Sequence, residues 1–150
     1  MFDAREWLAE VEAAARLAES ERKWLDAQRM MAMRLGSPSM TTIHTGLSDP
    51  MAGIDALMDS EAARTKSIAG ALEELDAAKL VFAGMRGIGA MEHRAASMME
   101  LVHIGLLTKK DAAEALGISY SCGKSAYALG VDWLNAHGLA FAKNGTGSAT

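Results

Sequence analysis

A single cysteine, Cys122, stands in this 150-residue chain, so no disulfide can close within it and no Cys-x-x-Cys pair is present to hold a metal or cycle a redox couple. The four histidines are His44, His93, His103 and His137, and no two lie three or four residues apart, which excludes a helical pair gripping one ion. No run of apolar residues approaches the length of a bilayer span, and no basic-then-apolar start resembles a signal peptide. The expectation is therefore a cytoplasmic protein without metal or cofactor. Nor is there an excess of positive charge. Lys and Arg number 15 against 19 Asp and Glu, a net of −4, which argues against wholesale coating of nucleic acid through counterion release. No nucleophile sits beside a base and no strand-GK[ST] phosphate loop occurs, so no catalytic residue is assigned and an enzyme is not expected.

What is present favours helix. Apolar residues make up 50% of the chain but aromatic residues only 5%, there are just 2 prolines, and alanine and methionine dominate the apolar set. Both are good helix formers and neither is β-branched. The pattern predicts an all-α fold, a long helical hairpin or coiled-coil arm followed by a small three-helix domain. Region one runs from about Phe2 to Leu35, with Trp7, Val11, Ala14, Ala18, Leu25, Ala32 and Leu35 on one stripe and Leu17, Trp24 and Met31 widening it. Gly36-Ser37-Pro38 ends it, and a polar linker reaches Asp49. Region two starts at Asp49-Pro50, a cap followed by proline at the first helical position, and continues to about Phe82. Its stripe is Ile54, Leu57, Met58, Ile68, Leu72, Leu75 and Phe82, with Glu73 and Glu74 on the solvated side. Residues 1–84 read as an oligomerisation arm, 85–143 as the domain that follows, and 144–150 as a disordered tail. The glycines Gly84, Gly87 and Gly89 read as a hinge between arm and domain rather than as a phosphate loop, because their spacing is not GxGxxG and no strand precedes them.

The segment LTKKDAAEALGISYSCGKSAYALGVDWL, from Leu107 to Leu134, carries the functional signal. Thr108 can cap a short helix that ends at Gly117, and Ser119 can cap a second helix beginning near Tyr120. Two capped helices around a glycine turn are the pattern of a helix-turn-helix, whose second helix enters the major groove of DNA. Ala113, four residues before Gly117, is small, as a close crossing of the two helices requires. Cys122, Ala126, Leu129 and Trp133 are expected to form the buried face of the second helix, and Met91, Ala95, Met98, Val102 and Leu106 the stripe of a preceding one. Cys122 is then a small buried residue rather than a reactive thiol.

The pattern AAEALGIS, with a recognition helix near the chain's end, resembles region four of bacterial RNA polymerase sigma factors. HTGLSDPMAGIDALMDSEA and MMELVHIGLLTKKDAAEALGISYS resemble the central and C-terminal parts of the small phage-encoded regulators of the ArpU-like type. The resemblance implies a phage or prophage transcriptional regulator in a bacterial or phage-infected cytoplasm, with double-stranded DNA and RNA polymerase as partners. Lys109, Lys110 and Lys124 would meet phosphates, and Tyr120, Ser121, Lys124 and Ser125 would face base edges, with Ala128 alongside. Charge favours this end of the chain. From Thr108 onward four lysines (109, 110, 124, 143) oppose Asp111, Glu114 and Asp132, 4 − 3 = +1, so the acidity lies in the N-terminal part. A near-neutral unit needs dimerisation or a partner such as RNA polymerase to reach useful affinity, and a dimer is the favoured homo-oligomer. Where the family has Thr-Val early in the recognition helix, this chain has Cys122-Gly123. Glycines at 123 and 130 are expected to weaken that helix by roughly 1 kcal/mol each relative to alanine. Two other readings remain open: a small-terminase-like packaging or assembly protein, and a helical interaction module that does not bind DNA.

Overall fold

In a computed structural model of the chain the described residues are 1–34 and 50–144, with side chains described for 1–34 and 62–144. They are all-helical: α1 Ala4–Arg34, α2 Pro50–Arg86, α3 Ala90–His103, α4 Lys109–Ala115 and α5 Tyr120–Asn144. The expected linker from Gly36 to Asp49 and all but the first residue of the expected tail lie outside the described residues. No described helix is long and apolar enough to cross a membrane. Proline opens α2, where its missing N–H costs nothing.

The chain forms two compact units. One comprises Met1–Arg16 with Leu72–Thr150, the other Leu17–Ala71. This division differs from the one read off the sequence. A boundary at residue 84 falls inside α2, and the first turns of α1 with the last turns of α2 pack in the same unit as α3, α4 and α5.

In the larger unit, Ala4, Leu8, Val11 and Ala15 of α1 are buried at steps of three and four residues, as are Leu75, Ala78, Phe82 and Met85 of α2. Trp7 tilts against Phe82 with ring centroids 5.7 Å apart. The start of α1 is capped from a distance, its Ala4 N–H donating to Asn135 Oδ1 at 2.8 Å. Gly84 lies where α2 meets the last turn of α5, and a Cβ there would collide with the Ala142 carbonyl. Gly87-Ile88-Gly89 then turns the chain from α2 into α3, held by Gly87 N–H to Gly84 O and Ile88 N–H to Met85 O. Beside that turn Arg86 pairs with Glu100 and points its Nε at Ser97 Oγ, 3.4 Å away. Gly138, at φ 82°, breaks the last helix into two segments, the second carrying the buried Ala142.

In the smaller unit, the side chains of α1 are mostly exposed. Leu17, Trp24, Leu25, Met30, Met31 and Met33 keep between 39% and 83% of their surface in water. Arg64 of α2 lies over the Trp24 ring, 4.0 Å from its centroid, a cation-π contact at the edge of a shallow cleft that includes Glu21, Leu25 and Ile68.

Candidate nucleic-acid interface

The helix-turn-helix is built by local chemistry. Thr108 stands in extended backbone ahead of α4, and its Oγ1 accepts from the Asp111 N–H at 3.1 Å. At the other end Gly117 takes φ +72°, the left-handed region that glycine enters without a Cβ penalty. That turn lets Ile118 N–H reach Ala113 O at 3.0 Å and Gly117 N–H reach Glu114 O at 3.0 Å, the paired bonds of a Schellman stop. Ser119 then opens α5, its Oγ accepting from the Cys122 N–H at 3.1 Å. The helix before the motif ends differently. Leu106 lies beyond α3 rather than on its stripe and carries φ 59°, a left-handed conformation that costs a branched residue about 1–3 kcal/mol.

The three helices close on small side chains. Met98, Ala112, Ala113 and Ala126 are buried together, with Leu101, Val102, Leu107, Leu116, Ile118 and Tyr127 around them. The buried face of α5 is Gly123, Ala126, Gly130, Val131 and Leu134. It is turned by one residue from the expected face: Leu129 is 47% exposed, and Cys122 and Trp133 are only half-buried. The two glycines account for the difference. A Cβ on Gly123 would stand 2.8 Å from the Ala113 Cβ and 3.2 Å from Met98 Cε, and one on Gly130 would stand 2.7 Å from Met99 Cε and 3.1 Å from the Ala95 Cβ. Glycine at these positions permits the close crossing of α5 over α3 and α4, so the expected weakness is a packing requirement.

With that face inward, Tyr120, Ser121, Lys124, Ser125 and Ala128 are all exposed, as are Lys109 and Lys110 at the start of α4. Lys124 Nζ rests 4.5 Å from the centre of the Tyr120 ring, one turn away, and Lys109 Nζ lies 4.2 Å from that of Tyr127. Thus α5 offers an outward strip of hydroxyls, one ring and one cation, with two further lysines on the α4 side.

Two polar features were not legible in the sequence. His103, the last residue of α3, places Nε2 2.6 Å from the Tyr127 hydroxyl and Nδ1 3.4 Å from Glu12 Oε1, close enough for attraction but off hydrogen-bond geometry. Burial pushes the His103 pKa down, against the opposing pull of Glu12, and burial also pushes the Tyr127 pKa up. His103 thus links α1, α3 and α5 as a largely neutral ring. The other feature is Arg94 of α3, whose Nη1 donates to Cys122 Sγ at 3.2 Å. Twenty-eight residues separate the pair, and no local pattern announces it.

His137, exposed, stands just before the break at Gly138, between Trp133 and Phe141 at centroid distances of 4.5 and 4.9 Å. No protein-family model, no curated protein and no solved structure matches this chain.

Proposed function

We propose that the protein binds double-stranded DNA through α5 and acts as a transcriptional regulator of phage or prophage type, by binding and recruitment rather than by catalysis. The observation that carries the reading is the outward strip Tyr120, Ser121, Lys124, Ser125 and Ala128 on a helix that is capped, follows a glycine turn, and is held by a buried face of Gly123, Ala126, Gly130, Val131 and Leu134. A helix of about 10–12 Å diameter fits a major groove about 12 Å wide. Lys109 and Lys110 stand where the DNA backbone would pass, and Lys124 is the one cation on the strip. Serine and tyrosine hydroxyls can meet base edges or phosphates, and without arginine on the strip the contact to guanine O6 and N7 falls to Lys124 alone. Affinity therefore rests on two copies binding together, with RNA polymerase as the partner recruited. The phage setting rests on the resemblance of the Leu107–Leu134 segment and its flanks.

A gel-shift series on phage late-promoter DNA tests this. Lys124→Glu is expected to weaken binding about tenfold, a loss of roughly 1.4 kcal/mol. Unchanged binding by that variant would show that another face of the protein meets DNA.

An assembly protein of the small-terminase kind draws on the exposed apolar side chains from Leu17 to Met33. Light scattering separates the two, a dimer favouring the regulator and a ring of many subunits favouring packaging. A helical module that does not bind DNA draws on the net charge of −4, while Gly123 and Gly130 serve the packing of α5 and need not mark a decayed motif.

A further inference from the structure

We propose that the cleft between the start of α3 and the turn before α5 is a phosphate seat, with Arg94 and His93 as its cations. It would take a backbone phosphodiester of duplex DNA on the flank of α5 opposite Lys109. The inference rests on the DNA-binding reading and adds a second anchoring point to it.

The cleft encloses about 560 Å³, with Arg86, His93 and Arg94 on its polar side and Leu116 and Ile118 on its apolar side. Its charges are not equivalent. Arg86 is answered inside the protein by Glu100. Among the described residues no carboxylate lies within 4.0 Å of Arg94 or His93. Among the described residues Arg94 donates to the Cys122 sulfur, a weak acceptor that positions the guanidinium without neutralising it. A guanidinium has five N–H donors, so most of its capacity remains for an anion. The acid of the first turn of α3, Glu92, lines a smaller cleft with Met85 and Trp133, and its carboxylate folds back beside Gly89 at the rim of the larger one, so the seat's cations are Arg94 and His93 with one acid at the edge. Leu116 and Ile118 add a low-dielectric wall, which strengthens the field of the cations beside it.

The place of the cleft on the motif gives it meaning. Arg94 touches α5 at Cys122, and Lys109 touches it at Tyr127. Five residues at about 100° each set those two points about 140° apart around the helix axis. The outward residues Tyr120, Ser121, Lys124, Ser125 and Ala128 all fall in the remaining arc. A duplex receiving that arc in its major groove brings one backbone past α4 and the other past the start of α3. Lys109 and Lys110 meet the first, and Arg94 with His93 the second.

Fluorescence anisotropy of the full chain on a labelled duplex, measured across a salt series, tests this. Arg94→Gln is expected to bind severalfold more weakly on every DNA sequence and to lower the salt slope by about 0.9, one phosphate contact. Arg94→Lys, which keeps the charge, is expected to restore the slope. Wild-type affinity and slope in Arg94→Gln, with the wild type binding DNA, would overturn the seat and leave the DNA reading standing. The same fall in affinity and slope in Arg94→Lys would also overturn it, because the effect would then follow shape rather than charge. A second arm titrates inorganic phosphate into the wild type and follows the Arg94 and His93 signals by NMR. If phosphate moves those signals but the duplex does not bind, the cleft takes free phosphate and the DNA reading falls alone. If neither binds, both fall.

Discussion

Gly123 and Gly70 sit in the interiors of two long helices, and only one of them is there for a packing reason. A Cβ on Gly123 would meet Ala113 and Met98, whereas one on Gly70 would meet nothing within 4 Å. The contrast extends to the units that hold them. In the larger unit the helices meet through glycine, alanine and methionine, so the backbones approach closely and Phe82, Met98 and Leu134 lose all contact with water. In the smaller unit long apolar side chains on α1 remain substantially exposed, Met33 at 83%. The same alanine- and methionine-rich composition thus serves two ends. Small residues at helical spacing let helices interlock, and the large apolar side chains of α1 from Leu17 to Met33 stand exposed. Stability is therefore expected to reside in the larger unit, with the smaller one free to change at little cost.

The widest separation between the units should come from truncating large side chains. Phe82→Ala is expected to cost about 3–5 kcal/mol in urea unfolding, because it leaves a cavity beside Trp7 that the surrounding helices cannot refill. Leu25→Ala, at a side chain 42% exposed, is expected to stay within about 0.5 kcal/mol. Equal losses at the two sites would mean that α1 is covered as well as α2.

The glycines sharpen the comparison because their effects should differ in sign. Gly123→Val is expected to destabilise by about 1–3 kcal/mol through overpacking against Ala113 and Met98. Gly70→Ala is expected to stabilise by about 0.5–1 kcal/mol, since it adds helix propensity and meets no neighbour. Thermal melts of both variants decide it, and a stabilising Gly123→Val would show that α5 does not cross its neighbours closely.

A smaller loss should follow at the caps. Thr108→Ala and Ser119→Ala each remove one acceptor for an end N–H and are expected to cost about 1 kcal/mol. Amide exchange should localise the loss to the first turn of α4 or of α5.

The smallest effect should be a pH dependence. Burial holds the His103 pKa below its value of 6.5 in the unfolded chain. The unfolded state then binds the proton more readily, so this contribution to stability is present above pH 6.5 and is lost as pH falls toward the folded-state pKa. His103→Gln should flatten stability across that window. A variant whose stability falls with acid as steeply as the wild type would place the titration elsewhere.

Much of the motif could be read directly from residues near each other in the chain. Thr108, Gly117 and Ser119 act within three or four positions of themselves, and a cap or a left-handed turn is a local property. The exposed residues of α5 were legible because polar side chains at helical spacing define an outward strip. The phase of the buried face was not. Cys122, Leu129 and Trp133 are apolar and suitably spaced, yet the close crossing requires residues without bulk, and glycine carries no hydrophobic signal. Arg94 and His103 escaped notice because each acts on a residue more than twenty positions away, Cys122 and Tyr127. Neither has a spacing that announces a partner.

By itself the sequence determined that this chain is helical, where the turn before α5 falls, and which side of α5 is polar, because propensity, capping and periodicity depend on neighbours along the backbone. The tertiary structure decided that Gly123 and Gly130 face inward, that the ends of α1 and α2 belong with α3, α4 and α5, and that Arg94 reaches the first turn of α5. Those outcomes depend on how closely separate helices can approach, a quantity set by the volumes on both sides of each contact and therefore by residues far apart in the chain.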